Sequence, residues 1–442
     1  MVDGVEVAYV KIWDQVVGAV TWNDKSFSTF EFDKNFLRKG LDLSPIHMPL
    51  AGALRGDAIY SFRSRSTIGF DTFKGLPGML ADSLPDRFGN AIIDSWLQRQ
   101  KRDIASFSPV ERLCFIGSRG MGALEYVPCL NVKLNEPVPV EIEKLVELAH
   151  EVITERSRLN FDVTGDDSKN SESLAEILNV GTSAGGARAK AVIAISEGGD
   201  IISGHLDLPS GYEHWLIKFD GVADIEPGVP QRDGRIEYGY HLMAKEAGIV
   251  MPTCKILEEN GRAHFLVKRF DRLPDNQKVH MQSLCGLAHY DFNMLGAYGY
   301  EQVFGVMRKL RIPASEAEQL YRRMVFNVVA SNQDDHTKNI TFLMDKCGKW
   351  SLSPAYDVTY SHNPGGKWTS SHQMTINGKR GNFTREDLMT VGRSINLKKP
   401  GHIIDEIIKI VRKWPEFAQK AGVSLKTGQV IAQVQQRAVN AF

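Results

Sequence analysis

The sequence predicts an α+β fold of several domains, in which β-rich segments precede a mainly helical one. Its 442 residues exceed the length at which one hydrophobic core keeps growing. A content of 43% hydrophobic and 24% charged residues is that of a globular protein. Apolar residues follow strand spacing in the earlier parts and helical spacing after about residue 282. We predict an N-terminal β-rich α+β subdomain over residues 1–155, a second β-rich segment over 172–280 and a helical segment over 281–442.

The N-terminal segment begins with strand-like sequence and continues with helices. Val7–Trp22, followed by phenylalanines among polar residues, predicts a β-meander. One helix is expected to begin at Pro85-Asp86, and apolar positions at helical spacing predict another over residues 140–155. A glycine-containing turn from Phe115 is expected to lead into a strand, and the polar stretch Thr164–Glu172 has the composition of a linker or loop.

The middle of the chain carries a second set of strands, and the last part is mainly helical. A helix is predicted over Glu237–Ala247. The predicted strands before residue 282 are Ala191–Ser196, His214–Phe219, Thr253–Glu258 and His264–Arg269. Beyond that point only two short strands, Ile340–Met344 and Trp350–Leu352, are expected among the helices.

Composition excludes several classes of protein. No apolar run approaches the roughly 20 residues that span a bilayer, so we expect no membrane segment. The first residues lack a basic stretch followed by an apolar core, so no signal peptide is expected. The five cysteines are odd in number, widely spaced and form no CxxC pair. We interpret them as reduced thiols of a cytoplasmic protein.

Charge is unevenly distributed along a chain that is neutral as a whole. Residues 379–442, the basic C-terminal segment, contain 12 basic and 5 acidic residues, a net charge of +7, which residues 1–378 balance with −7. Within it, His402–Trp414 predicts a helix with isoleucines on one face and cations on another. These cations form either the solvated outer face of a core helix or a surface that meets a polyanion such as nucleic acid.

The strongest functional pattern is SNQDDHTKNITFLMD, Ser331–Asp345, followed by SLSPAYDVTYS, Ser351–Ser361. Asp334 and Asn339 are five residues apart, the spacing of the catalytic Asp and the metal-binding Asn in the protein-kinase loop H-R-D-x-x-x-x-N. Asp357 follows 23 residues after Asp334, where a second Mg2+-binding Asp would lie. One carboxylate would accept the proton of the attacking hydroxyl, and the other two groups would hold Mg2+ on a triphosphate. The pattern therefore predicts phosphoryl transfer from ATP.

Other interpretations of this pattern stay open. Asn, Gln and Asp are common in turns, so the same residues could form a polar turn before a strand. Asp335 is a rival for the catalytic base, although its offset to Asn339 is only four. His336 could contact phosphate or brace the loop, and it lacks partners at the spacing of a zinc site.

Three weaker patterns lie earlier in the chain. VGTSAGGARAKAVIAI, Val180–Ile195, is either a Gly-rich turn that presents N–H groups to phosphate or a flexible hairpin, and it does not match a Walker A loop. Lys218, in HWLIKFD, is either a phosphate-binding lysine steadied by Glu237 or an edge-strand lysine that points to solvent. HFLVKRFDR, His264–Arg272, is either a strand that offers backbone hydrogen bonds to adenine or an ordinary strand end.

These motifs, in this order, resemble the HipA family of bacterial serine/threonine kinases, the toxin half of HipBA-type toxin–antitoxin modules. The shared segments cover nearly the whole chain: LPGMLADSLPDRFGN from Leu76, GTSAGGARAK, WLIKFD, LVKRFDR, NQDDHTKN and LSPAYDV. The resemblance implies a two-lobed protein-kinase-like core, a β-rich lobe then a helical lobe, after the N-terminal β-rich subdomain. Residues 172–280 would form the nucleotide-binding lobe and residues 281–442 the catalytic lobe.

The resemblance also implies roles for individual residues. Asp334 would be the catalytic base, with Asn339 and Asp357 as Mg2+ ligands. Ser183 would be the autophosphorylated serine of the Gly-rich loop, where added negative charge would block ATP binding. The residues implied in ATP binding are Lys218, with Glu237 as its partner, and Ser183, Ala184, Gly185, Gly186, Lys268, Phe270, Asp271, His336 and Lys338.

The implied cofactors are ATP and Mg2+, and the implied partners are proteins and DNA. They are a HipB-like helix-turn-helix antitoxin, operator DNA bound through that complex, and a substrate from the translation machinery such as an aminoacyl-tRNA synthetase. No membrane partner is implied. The cations that could contact operator phosphates are Lys379, Arg380, Lys409, Arg412 and Lys413. A pseudokinase or corepressor, and a kinase of a small molecule or phosphoinositide, stay open as alternatives.

Overall fold

The computed structural model describes residues 4–23, 27–63, 70–130, 138–158, 181, 188–204, 207–222 and 234–442. The chain divides into two compact units. The first comprises Met1–Gln231, Leu257–Met281 and Asp345–Gly348, and the second comprises Arg232–Ile256, Gln282–Met344 and Lys349–Phe442. The three-segment division predicted from the sequence is a different partition and stays a prediction.

The described part of the chain mixes strands and helices before residue 284 and is mainly helical after it, which confirms the α+β prediction. The strands are β1 (Val7–Ile12), β2 (Gln15–Asn23), β3 (Phe27–Phe32), β4 (Ile59–Arg63), β5 (Leu124–Val127), β6 (Lys190–Ser196), β7 (Ile201–Ser203), β8 (Tyr212–Lys218), β9 (Cys254–Glu259), β10 (Arg262–Lys268), β11 (His280–Ser283), β12 (Thr341–Met344) and β13 (Trp350–Leu352). The helices are α1 (Lys34–Leu37), α2 (Leu50–Ala53), α3 (Phe70–Phe73), α4 (Gly78–Ala81), α5 (Arg87–Arg99), α6 (Pro109–Ile116), α7 (Ile142–Arg158), α8 (Gly234–Glu246), α9 (Leu284–Ala288), α10 (Tyr300–Lys309), α11 (Ala314–Val329), α12 (Arg385–Ser394), α13 (Pro400–Val411), α14 (Trp414–Lys420) and α15 (Leu425–Val439).

The first unit contains one five-stranded sheet, ordered β4-β3-β2-β1-β5, and most of another, ordered β7-β6-β8-β10-β9, whose strand β9 begins in the second unit. The predicted meander is present, because β1, β2 and β3 pair in succession as antiparallel neighbours. The predicted helix after Pro85-Asp86 is α5, and the Asp86 side chain caps it by accepting a hydrogen bond from Gly89 N at 2.6 Å. Apolar residues of α5 and α7 share one core with strands β6, β8 and β10.

The second unit is mainly helical, and its C-terminal helices belong to its core. The predicted apolar face of α13 is buried, including Ile404 and Ile407. Trp414 is also buried, packs its ring 5.1 Å from that of Tyr240 on α8, and donates from Nε1 to Gly428 O at 3.1 Å. Among the residues with assigned positions, no helix is long and apolar enough to cross a bilayer.

A buried ion-pair network in the first unit joins the 120–122 turn to the end of β10. The Asp271 carboxylate accepts hydrogen bonds from Arg269, Arg272 and Gly122 N at 2.7 to 2.9 Å. The same two arginines also donate to the carbonyls of Gly120 and Gly122. The charge of these arginines outweighs burial and holds the pKa of Asp271 well below its usual range. The predicted turn after Phe115 is thus fixed by charged side chains from a distant part of the sequence.

Asp271→Asn is expected to lower the free energy of unfolding by about 3–5 kcal/mol, because it leaves two buried guanidinium groups without their counter-charge. Urea unfolding at neutral pH measures this change. Glu213→Gln is the matched control, since it breaks the exposed pair of Lys268 and Glu213 on neighbouring strands at a cost of about 1 kcal/mol or less. Equal losses in the two variants would contradict the structural role of Asp271.

Acid should destabilise the wild type more than the Asp271→Asn variant. The pKa of Asp271 is lower in the folded than in the unfolded chain, where it is about 3.9, so its stabilisation is complete above that pH and is lost as the pH falls below it. The variant has no such group to protonate. Plots of unfolding free energy between about pH 6 and pH 3 should therefore fall less steeply for the variant. If the two plots are parallel, Asp271 is not the group whose protonation causes the loss of stability in acid.

Candidate active site

The Asp334 loop, residues 331–339, connects α11 to β12 and is fixed along its length. Ser331 turns the chain with φ 58°, and Asn332 then bonds back to Asn327 through both its backbone N–H and its side-chain amide, each at 2.9 Å. Gln333 N donates to Ser361 O at 3.0 Å, and Ser361 N donates to Ser331 O at 3.2 Å. A 3-10 turn over Thr337–Asn339 completes the loop.

Asp335 anchors this loop and is buried, with 3% of its surface exposed. Its carboxylate accepts hydrogen bonds from the Tyr300 hydroxyl at 3.2 Å, from His372 Nδ1 at 2.9 Å and from Gln373 N at 2.8 Å. Burial, with the charge of Asp335, raises the pKa of Tyr300 well above its ordinary value, so that tyrosine stays a donor. The contacts of Asp335 are those of a structural residue, which favours Asp334 as the chemical group of the pair.

Asp334, Asn339 and Asp357 line one concavity that is open to solvent. All three are half-buried. The Oδ1 of Asp334 accepts a hydrogen bond from Gln373 Nε2 at 2.5 Å, and its backbone carbonyl accepts one from Asn339 Nδ2 at 2.8 Å. The structure therefore brings together the three residues whose spacing suggested kinase chemistry.

Tyr356 links the two chain segments that carry Asn339 and Asp357. Its hydroxyl donates to Lys338 O at 2.5 Å and lies 2.5 Å from Thr341 Oγ1. Asp357 follows directly with φ 52°, in the left-handed region that Asp tolerates better than most residues. Adjacent to both segments, Arg323 lines the concavity, where burial lowers its pKa to about 10.

His336 and Lys338 both contact the ring of Phe292. The His336 ring lies 5.6 Å from it, and Lys338 Nζ lies 4.6 Å from its centroid in a cation–π contact. The Thr337 hydroxyl between them donates to Tyr290 O at 2.7 Å. These contacts support the interpretation that His336 braces the loop; the predicted ATP contacts of His336 and Lys338 stay predictions.

The predicted ATP-binding residues of the first unit have different surroundings. Lys218 ends β8, an interior strand, and only 7% of its surface is exposed, so the edge-strand interpretation is wrong. Lys268 pairs with Glu213 at 2.6 Å on the surface, and Phe270, two residues further along the chain, is half-buried. The Asp271 carboxylate is used by the arginine network, which argues against the predicted ATP contact through this side chain.

Two further predictions concern either residues outside the described ranges or residues that lie in different units. The loop residues Ser183, Ala184, Gly185 and Gly186 lie outside the described ranges. Glu237 is buried on α8 and belongs to the second unit, whereas Lys218 belongs to the first. Their pairing therefore stays a prediction.

The five cations predicted to meet DNA differ in their partners. Lys379 pairs with Asp387 at 2.8 Å and Lys413 with Glu246 at 2.9 Å. Arg380 Nε donates to His372 O at 2.7 Å. Lys409 and Arg412 are exposed and form no ion pair within the described ranges.

Sequence reasoning missed Gln373 and His372, which contact Asp334 and Asp335 from more than 35 positions along the chain. They lie in a segment without helix or strand, where the sequence offers no periodic pattern to relate them to the Asp334 loop. The local signal is a pair of adjacent polar residues before the apolar Met374, which does not distinguish them from an ordinary loop.

Curated proteins resemble this chain at low sequence identity and over part of its length. Y4mE of Sinorhizobium fredii, provisionally named a kinase, is 26% identical over 170 residues, which cover 36% of this chain and 39% of the relative. A protein of Haemophilus influenzae, also provisionally named a kinase, is 21% identical over 212 residues, covering 41% of this chain and 62% of the relative. The chain thus matches between about two fifths and three fifths of the length of these curated relatives.

A solved structure shares the fold along almost the whole chain. It is that of HipA from Shewanella oneidensis MR-1, in a toxin–antitoxin complex with HipB and operator DNA. The TM-score is 0.66 at 15% identity, covering 98% of this chain and 96% of that one. Family models agree, since the HipA-like C-terminal domain matches residues 182–442 and the HipA N-terminal domain matches residues 8–127. The chain therefore belongs to the HipA family.

Proposed function

We propose that this protein is an ATP- and Mg2+-dependent serine/threonine protein kinase that acts as the toxin of a HipBA-type system. The observation that carries the proposal is that Asp334, Asn339 and Asp357, spaced as in kinases, line one concavity of the second unit. The alternative base, Asp335, is buried and accepts three hydrogen bonds. Membership of the HipA family and the kinase names of the relatives support the same activity.

Asp334 is the residue to which we assign the proton transfer. It is half-buried, lines the concavity and would accept the proton of the attacking serine or threonine hydroxyl. Its backbone is held by Asn339, and its carboxylate by Gln373. Phosphoryl transfer depends mainly on positioning and on charge neutralisation, so a rigid loop that presents one carboxylate meets the main demand on the protein.

Asn339 and Asp357 fit the role of Mg2+ ligands by the chemistry of their donor atoms. The Asn339 amide uses its Nδ2 for the Asp334 carbonyl, which leaves Oδ1 as its acceptor, and Asp357 supplies a carboxylate. Mg2+ prefers oxygen ligands and is held by one or two side chains together with substrate phosphates. No group of three His, Cys, Asp or Glu suited to a metal occurs among the described residues. When bound, Mg2+ neutralises phosphate charge.

The substrate and the partners are further parts of the proposal. We infer a substrate from the translation machinery, an aminoacyl-tRNA synthetase, autophosphorylation at Ser183, and action in the cytoplasm where such substrates occur. We also infer a HipB-like antitoxin and operator DNA as partners. The HipA structure that shares this fold contains HipB and operator DNA, which supports the partner assignment. Lys409 and Arg412 are the exposed cations that would reach phosphates.

Asp334→Asn is expected to reduce phosphate incorporation from labelled ATP by at least about 100-fold, because the variant cannot accept the hydroxyl proton. The assay contains Mg2+ and measures phosphate on the protein itself and on proteins of a bacterial lysate. Nucleotide binding and thermal stability should stay near wild type, since the substituted side chain is half-buried and of equal size.

Asp405→Asn is the matched control, because it makes the same change at an exposed position of α13. It should leave phosphate incorporation unchanged. An Asp334→Asn variant as active as the wild type would disprove the assignment of the base. Toxicity on expression that survives Asp334→Asn would instead favour the corepressor function.

Replacing Lys409 and Arg412 together by Gln is expected to weaken binding of the kinase–antitoxin complex to operator DNA. Each lost phosphate contact should reduce the slope of log affinity against log salt by about 0.9. Arg385→Gln serves as the control, because Arg385 is already paired with Asp405. Kinase activity should be unchanged in both variants. An unaltered salt slope in the double variant would refute the contact.

A further inference from the structure

Gln373 is a buried residue whose side chain contacts the proposed catalytic base. Its exposed fraction is 5%, and its Nε2 donates to Asp334 Oδ1 at 2.5 Å. Its backbone has separate tasks: the N–H donates to Asp335 at 2.8 Å, and the carbonyl accepts from Gly296 N at 2.8 Å. The side chain and the backbone of Gln373 therefore act on different neighbours.

The orientation of the Gln373 amide follows from its partner. Only the NH2 end can donate to a carboxylate, so Nε2 must face Asp334 and Oε1 must face away. In that orientation Oε1 is buried and has no hydrogen-bond partner within the described part of the chain. A buried acceptor without a partner destabilises the folded protein.

A bond from the amide to Asp334 restricts the rotation of the carboxylate. The terminal torsion of Asp is broad when nothing holds it. A hydrogen bond to a charged acceptor is roughly twice as strong as one between neutral groups. Because the Asp334 backbone is held by Asn339, the donor on Oδ1 limits how the carboxylate can turn relative to the concavity.

We propose that Gln373 is a positioning residue for phosphoryl transfer, which holds the Asp334 carboxylate in the orientation that accepts the hydroxyl proton. This inference rests on the proposed kinase function. Gln373 acts through Asp334 and is not among the residues that line the concavity. Its removal should therefore affect the chemical step and leave nucleotide binding intact.

The test is Gln373→Met, which keeps the length of the side chain and removes both its donor and its unpaired acceptor. The backbone bonds to Asp335 and Gly296 remain. We expect kcat to fall by about 10- to 100-fold, with KM for ATP unchanged. The melting temperature should fall by less than in His372→Ala, because the backbone bonds of Gln373 remain and the half-buried Asp334 carboxylate can be hydrated in place of the lost bond.

Two companion variants separate positioning from support of the fold. Gln373→His keeps a ring N–H donor at a similar reach, and it should retain more of kcat than Gln373→Met. His372→Ala removes the bond to the buried Asp335, and it should lower kcat and the melting temperature together.

The outcomes distinguish this inference from the proposed function. A wild-type kcat in Gln373→Met, with Asp334→Asn inactive, would overturn the role of Gln373 and leave the kinase assignment standing. If Gln373→Met and Gln373→His lose kcat to the same extent and both lower the melting temperature, the role of Gln373 is structural. That result would also overturn the positioning role. If the wild type transfers no phosphate, or if Asp334→Asn keeps full activity, the proposed function fails and the positioning role fails with it.

Discussion

The buried carboxylate of Asp335 is the interaction on which the candidate active site depends. A charge with 3% exposure is costly unless several donors reach it, and three do, from Tyr300, His372 and Gln373. Tyr300 begins α10, whereas the other two lie far along the chain in a segment without regular structure. Satisfying one carboxylate therefore ties three parts of the second unit together. Because Asp334 is its neighbour in sequence, the same contacts fix the backbone of the proposed base.

Two adjacent aspartates thus acquire different tasks from their surroundings. Asp335 accepts three hydrogen bonds and is almost excluded from solvent, which suits a structural anchor. Asp334 is half-buried, lines the concavity and receives a side-chain bond from Gln373. The adjacent Asn339 joins the arrangement through the Asp334 carbonyl. Because both residues are aspartates, their different roles follow from how deeply each is buried and from how many hydrogen-bond donors surround it.

The sequence predicted what depends on local pattern. The apolar face of α13, the helix after Pro85-Asp86 and the short strands β12 and β13 follow from periodicity and capping, and the Asp334–Asn339 spacing follows from a loop of fixed length. It could not predict the hydrogen bonds from His372 and Gln373, because partners more than 35 residues apart leave no periodic trace. The arginine network around Asp271 was missed for the same reason, so a carboxylate that supports the fold was predicted to bind ATP.

The net charge of the basic C-terminal segment does not by itself describe a cationic surface. Its +7 suggests a cationic surface, yet Lys379 and Lys413 are held in ion pairs. The segment is also part of the core that supports the Asp334 loop. Gln435 on α15 donates to the Tyr240 hydroxyl at 2.8 Å, and that hydroxyl donates to Ala330 O at 2.5 Å, one residue before the loop begins. The apolar face of the segment therefore serves the site, and only its outward cations remain available for a polyanion.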